Sequence, residues 1–281
     1  MIRKFIFAVI FFSGPLLAKD FVTAHVMGQL GNQMFIIAAT EALARENGAE
    51  AIFPDLLTET RWNVQENREK IFTRVNAHSL PHCVSHLYKE PHYHYKEISY
   101  KRNLKLHGYF QSEKYFYKYR DEIKALFAPS EKILKYLNQK YANVISHPKS
   151  VALHFRNYLK DDPEQKYHPN VTRRYLFNAI NMFPKDSLFV VCSNDIPLCK
   201  RMLNGFEGNF VYIEGEHFHH DFYLMSLCKN NIISNSSYSW WAAYLNKNPD
   251  KVVVAPKRWF TKKYRSDTYD NTPPSWIKLG V

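Results

Sequence analysis

Side chains that bind phosphate or transfer protons occur where two apolar segments in the second half of the chain end. His154 and Arg156 lie at the end of SVALHFR, and Asp195 lies at the end of SLFVVCSND. Residues two apart in a strand share a face, so His154 and Arg156 are expected to project together. A guanidinium group can form two parallel hydrogen bonds with phosphate oxygens. Asp195 is expected either to accept hydrogen bonds from a nucleotide base or to cap the next helix.

An Asn/Ser cluster joins a third apolar segment to a helix in IISNSSYSWWAAYLN, which begins at residue 232. Asn235, Ser236, Ser237 and Ser239 are of the types that cap helix N-termini. A helix start combines unpaired N–H donors with the positive end of the helix dipole, and this combination suits an anion such as a phosphate. The alternative is a turn that only caps its helix.

A glycine-rich turn, GQLGNQ, precedes a helical pattern near the start of the chain. Gly28 and Gly31 would let the backbone approach a ligand, and Asn32 and Gln33 would supply amide groups at the helix start. The turn matches neither the dinucleotide-binding fingerprint nor a Walker loop. It therefore predicts a ligand-binding loop without naming the ligand.

Two histidine-containing stretches raise the question of a metal site. HFHHD places His217, His220 and Asp221 at helical spacing, and HYH places His92 and His94 on one face of a strand. Neither stretch is accompanied by a second group with metal-ligand spacing. We therefore expect no metal ion and no other cofactor.

The order of the predicted elements indicates an α/β protein of two domains. From residue 20, a strand, the GQLGNQ turn and a helix form a βα unit; a less regular region follows, with the strand LKLHGYF and helices over 112–127 and 131–141. Further on, short β-rich segments alternate with helices, as in a parallel sheet with right-handed crossovers. We predict two facing Rossmann-like domains over residues 20–146 and 147–281, with a cleft between them.

The formal charge of +12 and the pI near 9.4 indicate affinity for polyanions. Nucleic acid, an anionic membrane surface and a nucleotide diphosphate are all candidates. The stretch HYHYKEISYKRNLKLHGYF has the composition of a stacking platform for single strands, but the chain has no RNA- or DNA-binding signature. We interpret the stretch as the solvated, aromatic-rich face of an enzyme and expect no nucleic-acid partner.

Six segments resemble the alpha-1,2-fucosyltransferase family, glycosyltransferase family 11, in order and spacing. They are GQLGNQMF, LHGYFQSEKYF, HFR, CSNDIPLCK, FYLMSLCKNNIISNSSYSWWAAYLN and VVVAPKRWF, and the resemblance covers most of residues 22–276. It implies a GT-B-like fold, GDP-fucose as donor, inversion at the sugar carbon, a galactose hydroxyl of a glycan as acceptor, and no required metal. Trp240 and Trp241 are then expected to pack behind the Ser-rich turn, not to contact the ligand.

The resemblance also implies roles for single residues. Arg156 and His154 would bind the donor and act in catalysis, the Ser-rich turn would cradle the diphosphate, and Asp195 aligns with an acid of the family's Ser-Asp-Asp motif. The family pattern H-x-R-R-x-D is altered here, because Asn157 replaces the second Arg and the acid is delayed to Asp161. Asp161 is therefore the third candidate catalytic residue.

Residues 1–19 are predicted to be a signal-like or membrane-anchor segment. Arg3 and Lys4 precede an apolar run from Phe5 to Ala18, which is typical of a signal peptide. A bilayer-spanning helix needs about 20 residues, so a tilted or interfacial anchor is the alternative. We expect a membrane-associated protein whose catalytic part faces the compartment that holds GDP-fucose. The cysteines, which form no C-x-x-C pair, favour a reducing compartment.

Two alternatives to alpha-1,2-fucosyl transfer remain at this point. The first is a related transferase with another sugar donor or a protein acceptor. The second is a non-catalytic binder of a sugar nucleotide or of RNA. Salt-sensitive RNA binding without turnover of GDP-fucose would favour the second alternative.

Overall fold

Two parallel sheets organise the chain in the computed structural model, which describes residues 19–261 and 269–280. The strands of the first sheet are β1 (Phe21–Ala24), β2 (Glu50–Ala51), β3 (His86–Lys89) and β4 (Leu104–His107). The strands of the second are β5 (Ser150–Phe155), β6 (Leu188–Ser193), β7 (Asn209–Tyr212), β8 (Asn230–Ile232), β9 (Val253–Pro256) and β10 (Ile277–Leu279). The strand orders are β2-β1-β4-β3 and β10-β9-β8-β5-β6-β7.

The helices connect these strands and cover the sheets. In chain order they are α1 (Leu30–Glu46), α2 (Asp55–Thr58), α3 (Val64–Lys70), α4 (Arg120–Leu126), α5 (Glu131–Lys140), α6 (Ala142–Ser146), α7 (Tyr158–Asp161), α8 (Arg173–Ile180), α9 (Ile196–Leu203), α10 (Phe218–Leu227) and α11 (Ser237–Leu245). Side chains cap several of them: Ser130 accepts from the backbone N–H of Ile133, and Thr172 accepts from that of Tyr175. Caps of this kind satisfy N–H groups that have no partner inside the helix.

The central strand of the second sheet shows why these residues form a buried parallel sheet. All six residues of β5 are buried, and the strand pairs with β6 on one side and β8 on the other. A parallel strand that is covered on both faces is apolar throughout. The two polar residues of β5 lie towards its ends, Ser150 at the start and His154 near the carboxyl end.

The predicted single helix over 112–127 is wrong, because the structure divides that region. It contains two short 3₁₀ turns, Glu113–Tyr115 and Tyr117–Tyr119, before α4 begins at Arg120. The Ser112 side chain accepts from the N–H of Lys114, and Phe116 between the turns has φ −138°, which is not helical. Phe116 is buried, whereas Tyr117 is exposed, so the packing of Phe116 in the core overrides helix propensity here.

The predicted boundary at 146/147 lies between the two sheets, because β4 ends at His107 and β5 begins at Ser150. The predicted segment 1–19 lies outside the described residues apart from Lys19. Within the described ranges, no helix combines the length and the apolar character needed to cross a membrane.

Helices α1 and α11 join the two sheets through an aromatic cluster. The ring of Phe35 on α1 lies 4.5 Å from that of Trp240 and 5.1 Å from that of Trp241, and the Phe116 ring stacks on Trp241 at 5.3 Å. Both indoles are fully buried. Each such aromatic pair adds about 0.5–1.5 kcal/mol beyond the burial of its area. The prediction that the tryptophans serve packing is confirmed.

The two helices come closest at their N-termini, where Gly31 faces Ser237. A Cβ atom added to Gly31 would lie 2.4 Å from the backbone carbonyl carbon of Ser237. This glycine therefore gives space to a neighbouring helix.

We expect Gly31→Ala to lower the stability of the folded protein. The added methyl group must push α1 away from α11, and overpacking of this kind costs about 1–3 kcal/mol. The measurement is the melting temperature, which should fall by several degrees. Gly280→Ala is the control, because nothing lies within 4 Å of a Cβ at that position. Equal melting temperatures for Gly31→Ala and the parent would contradict the close approach.

Candidate functional site

A cavity of about 710 Å³ opens where the carboxyl ends of the two sheets face each other. Its lining residues follow strands of both sheets: Gln29 follows β1, Tyr109 follows β4, Arg156 follows β5, and Asn194 follows β6. Ligands of open parallel sheets bind beyond the carboxyl ends of the strands. The volume is in the range of small-molecule sites. The architecture thus places one ligand-sized cleft between the two domains.

The N-termini of α1 and α11 both open onto this cavity. Their N-cap residues, Gln29 and Ser236, make no side-chain cap, so no N-cap side chain accepts from the N–H groups of either first turn. Asn32 on α1 links the two helix starts, because its Oδ1 accepts from the Ser237 hydroxyl at 3.1 Å and from the Gln111 amide at 2.7 Å. Two positive dipole ends and their free donors therefore meet at one point, which favours an anion.

Arg156 lies on the wall of the same cavity, as the strand pattern predicts. Its guanidinium group forms an ion pair with Asp161, and Asp161 also accepts from the Asn194 amide at 3.1 Å. Asp161 itself does not line the cavity. The structure therefore places it as a group that holds Arg156 and does not bring it to the point where a substrate would react.

His154 lines the cavity but is a poor acid or base there. The side chain is buried, and its Nδ1 lies 2.9 Å from the Ser234 hydroxyl. Burial, together with the charge of Arg156, lowers the pKa of His154 to about 3. The imidazole is neutral at pH 7, so the structure supports a hydrogen-bonding role in place of proton transfer.

The Asn/Ser turn divides into ligand-facing and structural residues. Ser236 and Ser237 line the cavity. Asn235 also borders it, yet its amide nitrogen donates to the carbonyls of Pro169 and Trp259 and so ties two loops together. Ser239 is buried and donates to the Ser236 carbonyl at 3.3 Å, away from the cavity wall.

The GQLGNQ turn divides in the same way. Gly31 and Asn32 line the cavity, whereas Gly28 and Gln33 do not. Gly28 has φ +75°, a conformation that favours glycine. The Gln33 amide nitrogen donates to the Gly28 carbonyl at 2.7 Å and to the Trp62 carbonyl at 2.9 Å. These two residues therefore shape the loop.

Asp195 lies outside the cavity and has protein partners for both carboxylate oxygens. One oxygen accepts from the backbone N–H of Leu198 at 3.0 Å, and the other accepts from the Asn157 amide at 2.8 Å. Asp195 thus caps α9, and the structure supports that interpretation over recognition of a base. Asn157, where the family pattern has a second Arg, is buried in the same network.

A carboxylate that the sequence patterns did not single out as a binding group lies on the cavity wall. Asp221 on α10 lines the cavity, and its Oδ1 is buried without a hydrogen-bond partner among the described residues. Burial, with a smaller contribution from the Glu216 charge, raises the pKa of Asp221 to about 7. An unpaired buried oxygen is costly unless a ligand supplies a donor. The available signal was an acid at the start of an apolar helix, FYLMSL.

Aromatic rings form the rim of the cavity. Tyr93 comes from the first domain and packs on Phe260 of the second with 5.3 Å between ring centres, while Tyr158 and His168 stack at 4.6 Å. The Tyr158 hydroxyl donates to the Asn235 carbonyl at 2.5 Å. The cavity therefore combines a positive anion-binding region with flat apolar surfaces.

This chain belongs to glycosyltransferase family 11, because the family model described as Glycosyl transferase family 11 matches residues 4–280. The cavity and the fold described above are thus those of a glycosyltransferase, as the sequence resemblance implied.

Several curated relatives share this similarity. An alpha-1,2-colitosyltransferase of Escherichia coli is 30% identical over 189 residues, which are 64% of this chain and 64% of that protein. The O-antigen biosynthesis glycosyltransferase WbnK of Escherichia coli is 29% identical, with 90% of this chain and 98% of the relative covered. Galactoside alpha-(1,2)-fucosyltransferase 2 of Oryctolagus cuniculus is 27% identical, with 88% and 73% covered.

Solved structures show the same fold. Fucosyltransferase NodZ from Bradyrhizobium has a TM-score of 0.51 at 12% identity, covering 80% of this chain and 92% of that chain. The NodZ alpha-1,6-fucosyltransferase co-crystallized with GDP has a TM-score of 0.52 with the same coverage. The predicted α/β fold of two facing Rossmann-like, GT-B-like domains is confirmed.

Proposed function

We propose that this chain transfers L-fucose from GDP-fucose to a galactose hydroxyl of a glycan, with inversion and an alpha-1,2 linkage. The observation that carries the proposal is the convergence of two uncapped helix N-termini and Arg156 on one cavity. A sugar nucleotide presents a diphosphate, the type of anion that such a site suits. The relatives named for alpha-1,2-fucosyl and alpha-1,2-colitosyl transfer support the linkage.

Breaking the bond between the sugar and the diphosphate builds negative charge on the leaving nucleotide. Donors already aimed at that charge lower the barrier, since they need no reorganisation during the reaction. Arg156 supplies a guanidinium group, and the first turns of α1 and α11 supply N–H donors. Inversion requires that the acceptor hydroxyl attack the sugar carbon from the face opposite the leaving diphosphate and lose its proton.

We expect transfer to continue in excess chelator. The charges that neutralise the diphosphate in this proposal belong to Arg156 and to the two helix starts, so no divalent cation takes part in the chemistry. The measurement is the initial rate of fucosyl transfer with and without EDTA. Loss of activity that added Mn²⁺ restores would contradict this expectation.

Arg156→Lys should keep the fold and lower kcat strongly. A lysine carries the charge but cannot form two parallel hydrogen bonds to phosphate oxygens. The loss of one preorganised donor raises a barrier by about 3 kcal/mol, or more than a hundredfold in rate. Arg201→Lys, on the exposed part of α9, is the matched control. A rate for Arg156→Lys within about threefold of the parent would place the arginine outside the reaction.

Asp221 is the group that we assign to guanine. The N1–H and the exocyclic amine of guanine are donors on one edge, and the unpaired Oδ1 of Asp221 is a buried acceptor on the cavity wall. Adenine has an unprotonated N1 at that edge and would leave the carboxylate without a donor. A site of this kind rejects the wrong base strongly.

Asp221→Asn and Asp195→Ala test the two carboxylates against each other. Asp221→Asn should weaken GDP binding by about 2 kcal/mol, or about thirtyfold in Kd, and should narrow the preference for GDP over ADP. Asp195→Ala should cost about 1 kcal/mol of stability through the lost cap and leave that preference unchanged. Titration calorimetry with GDP and with ADP measures the two affinities in each variant, and thermal unfolding measures the stability. A narrowed preference for GDP in Asp195→Ala, with an unchanged preference in Asp221→Asn, would assign guanine recognition to Asp195.

A different sugar donor is the second candidate, because one relative is named for transfer of colitose. The proposed binding of the diphosphate by Arg156 and the two helix N-termini is the same for fucose and colitose donors. Turnover measured with GDP-fucose and with other sugar nucleotides, across an array of galactose-containing, other glycan and protein acceptors, separates the candidates. Transfer to terminal galactose alone supports the function proposed here.

A further inference from the structure

Three side chains with metal-binding chemistry meet at the junction of the two domains. Glu66 lies on α3 of the first domain, while His217 and His219 lie at the start of α10 in the second. One ligand atom of each residue is within 4.8 Å of the others. The Nε2 atom of His217 is 2.9 Å from a carboxylate oxygen of Glu66. One cation can therefore reach all three groups with little movement of the side chains.

The hydrogen bonds behind this cluster fix the tautomer of His219. The Gln33 amide nitrogen donates to two backbone carbonyls, those of Gly28 and Trp62, so its Oε1 is the acceptor for the Asn67 amide nitrogen at 2.9 Å. The Asn67 Oδ1 must then accept from Nε2–H of His219, which lies 3.3 Å away. This leaves Nδ1 of His219 with its lone pair.

Histidines that bind metals in proteins commonly have this hydrogen-bond arrangement. The nitrogen that does not bind the metal donates to a fixed oxygen, and this bond orients the ring. The bond from Nε2–H to the Asn67 Oδ1 leaves the other ring nitrogen, Nδ1, as the available ligand atom of His219. Asn67 and Gln33 are both buried and hold this orientation.

None of Glu66, His217 and His219 lines the cavity described above, although Asn67, which bonds to His219, does. Glu216 and Phe218 line the cavity, whereas His217 and His219, which alternate with them along the chain, do not. Side chains of this short segment therefore alternate between the cavity and the histidine cluster.

We propose that Glu66, His217 and His219 form a binding site for a divalent cation of the Zn²⁺ class that joins α3 to α10 across the domain junction. Two imidazoles and one carboxylate are ligands that Zn²⁺ and Co²⁺ accept in four-coordinate sites, and water can fill the fourth position. A bound cation stabilises the folded protein by mass action. It plays no part in the transfer reaction, so chelation should lower stability without stopping catalysis.

Zn²⁺ titration of the full-length protein, after treatment with chelator and its removal, tests the site. Calorimetry should show one equivalent bound, and the melting temperature should rise by about 5 °C at a hundredfold excess of Zn²⁺ over Kd. Co²⁺ should give the visible absorption of a low-coordinate complex. Glu66→Gln and His217→Gln should each weaken Zn²⁺ binding at least tenfold.

Glu69→Gln is the matched control, because it removes the same charge from an exposed position on the same helix and should bind Zn²⁺ like the parent. His82→Gln controls for an exposed loop that also carries His78 and Cys83. Absence of Zn²⁺ binding by the parent overturns the proposal. Parent-like affinity in Glu66→Gln and His217→Gln, or loss of binding only in His82→Gln, also overturns it. Fucosyl-transfer activity is scored separately, so neither proposal depends on the other.

Discussion

The contact between α1 and α11 is the constraint on which the rest of the structure depends. Each helix follows a strand end, α1 after β1 and α11 after β8, so the distance between the helices sets the distance between the two sheets. Gly31 lets the backbones approach, and the Phe35 ring then reaches both buried indoles. The buried core that results contains Val22 of the first sheet and Ala152 of the second. The cleft is thus positioned by a shared core and not by surface contacts alone.

This constraint also explains the electrostatics of the cavity. The chain carries a formal charge of +12, yet the Lys, Arg, Asp and Glu side chains on the described part of the cavity wall are Arg156, Glu216 and Asp221 alone, and burial raises the pKa of Asp221 to about 7. Much of the positive potential there comes from helix N-termini, which the α1–α11 contact brings together. Helix dipoles are fixed by the backbone, so they need no reorientation when negative charge develops in the cavity. The basic composition of the chain therefore says little about the electrostatics of this cavity.

Sequence patterns predicted features that depend on local order. The strand ends after β5, the helix that follows the Asn/Ser turn, and the packing role of the two tryptophans can all be predicted from periodicity and residue type. The single helix over 112–127 was wrong because the buried Phe116, whose ring stacks on Trp241, has a non-helical backbone and breaks it. Asp195 shows that a position at a strand end does not by itself predict contact with a ligand. Its two carboxylate oxygens accept from the Asn157 amide and from the N–H of Leu198. The burial of Asp221 and the approach of Glu66 to His217 depend on tertiary contacts, which no local pattern contains.

The long separation of paired segments has a consequence for how this chain folds. Val22 pairs with Leu104 in the first sheet, and the hydrogen bond between Asn32 and Ser237 joins residues 205 positions apart. Contacts of such high sequence separation form late and slow folding, because the loop between them must close first. During synthesis the first sheet can assemble while the Phe35 face of α1 still lacks its partner helix. That face stays exposed to solvent until the ribosome has released α11, and over this interval the nascent chain is most open to aggregation and to chaperone binding.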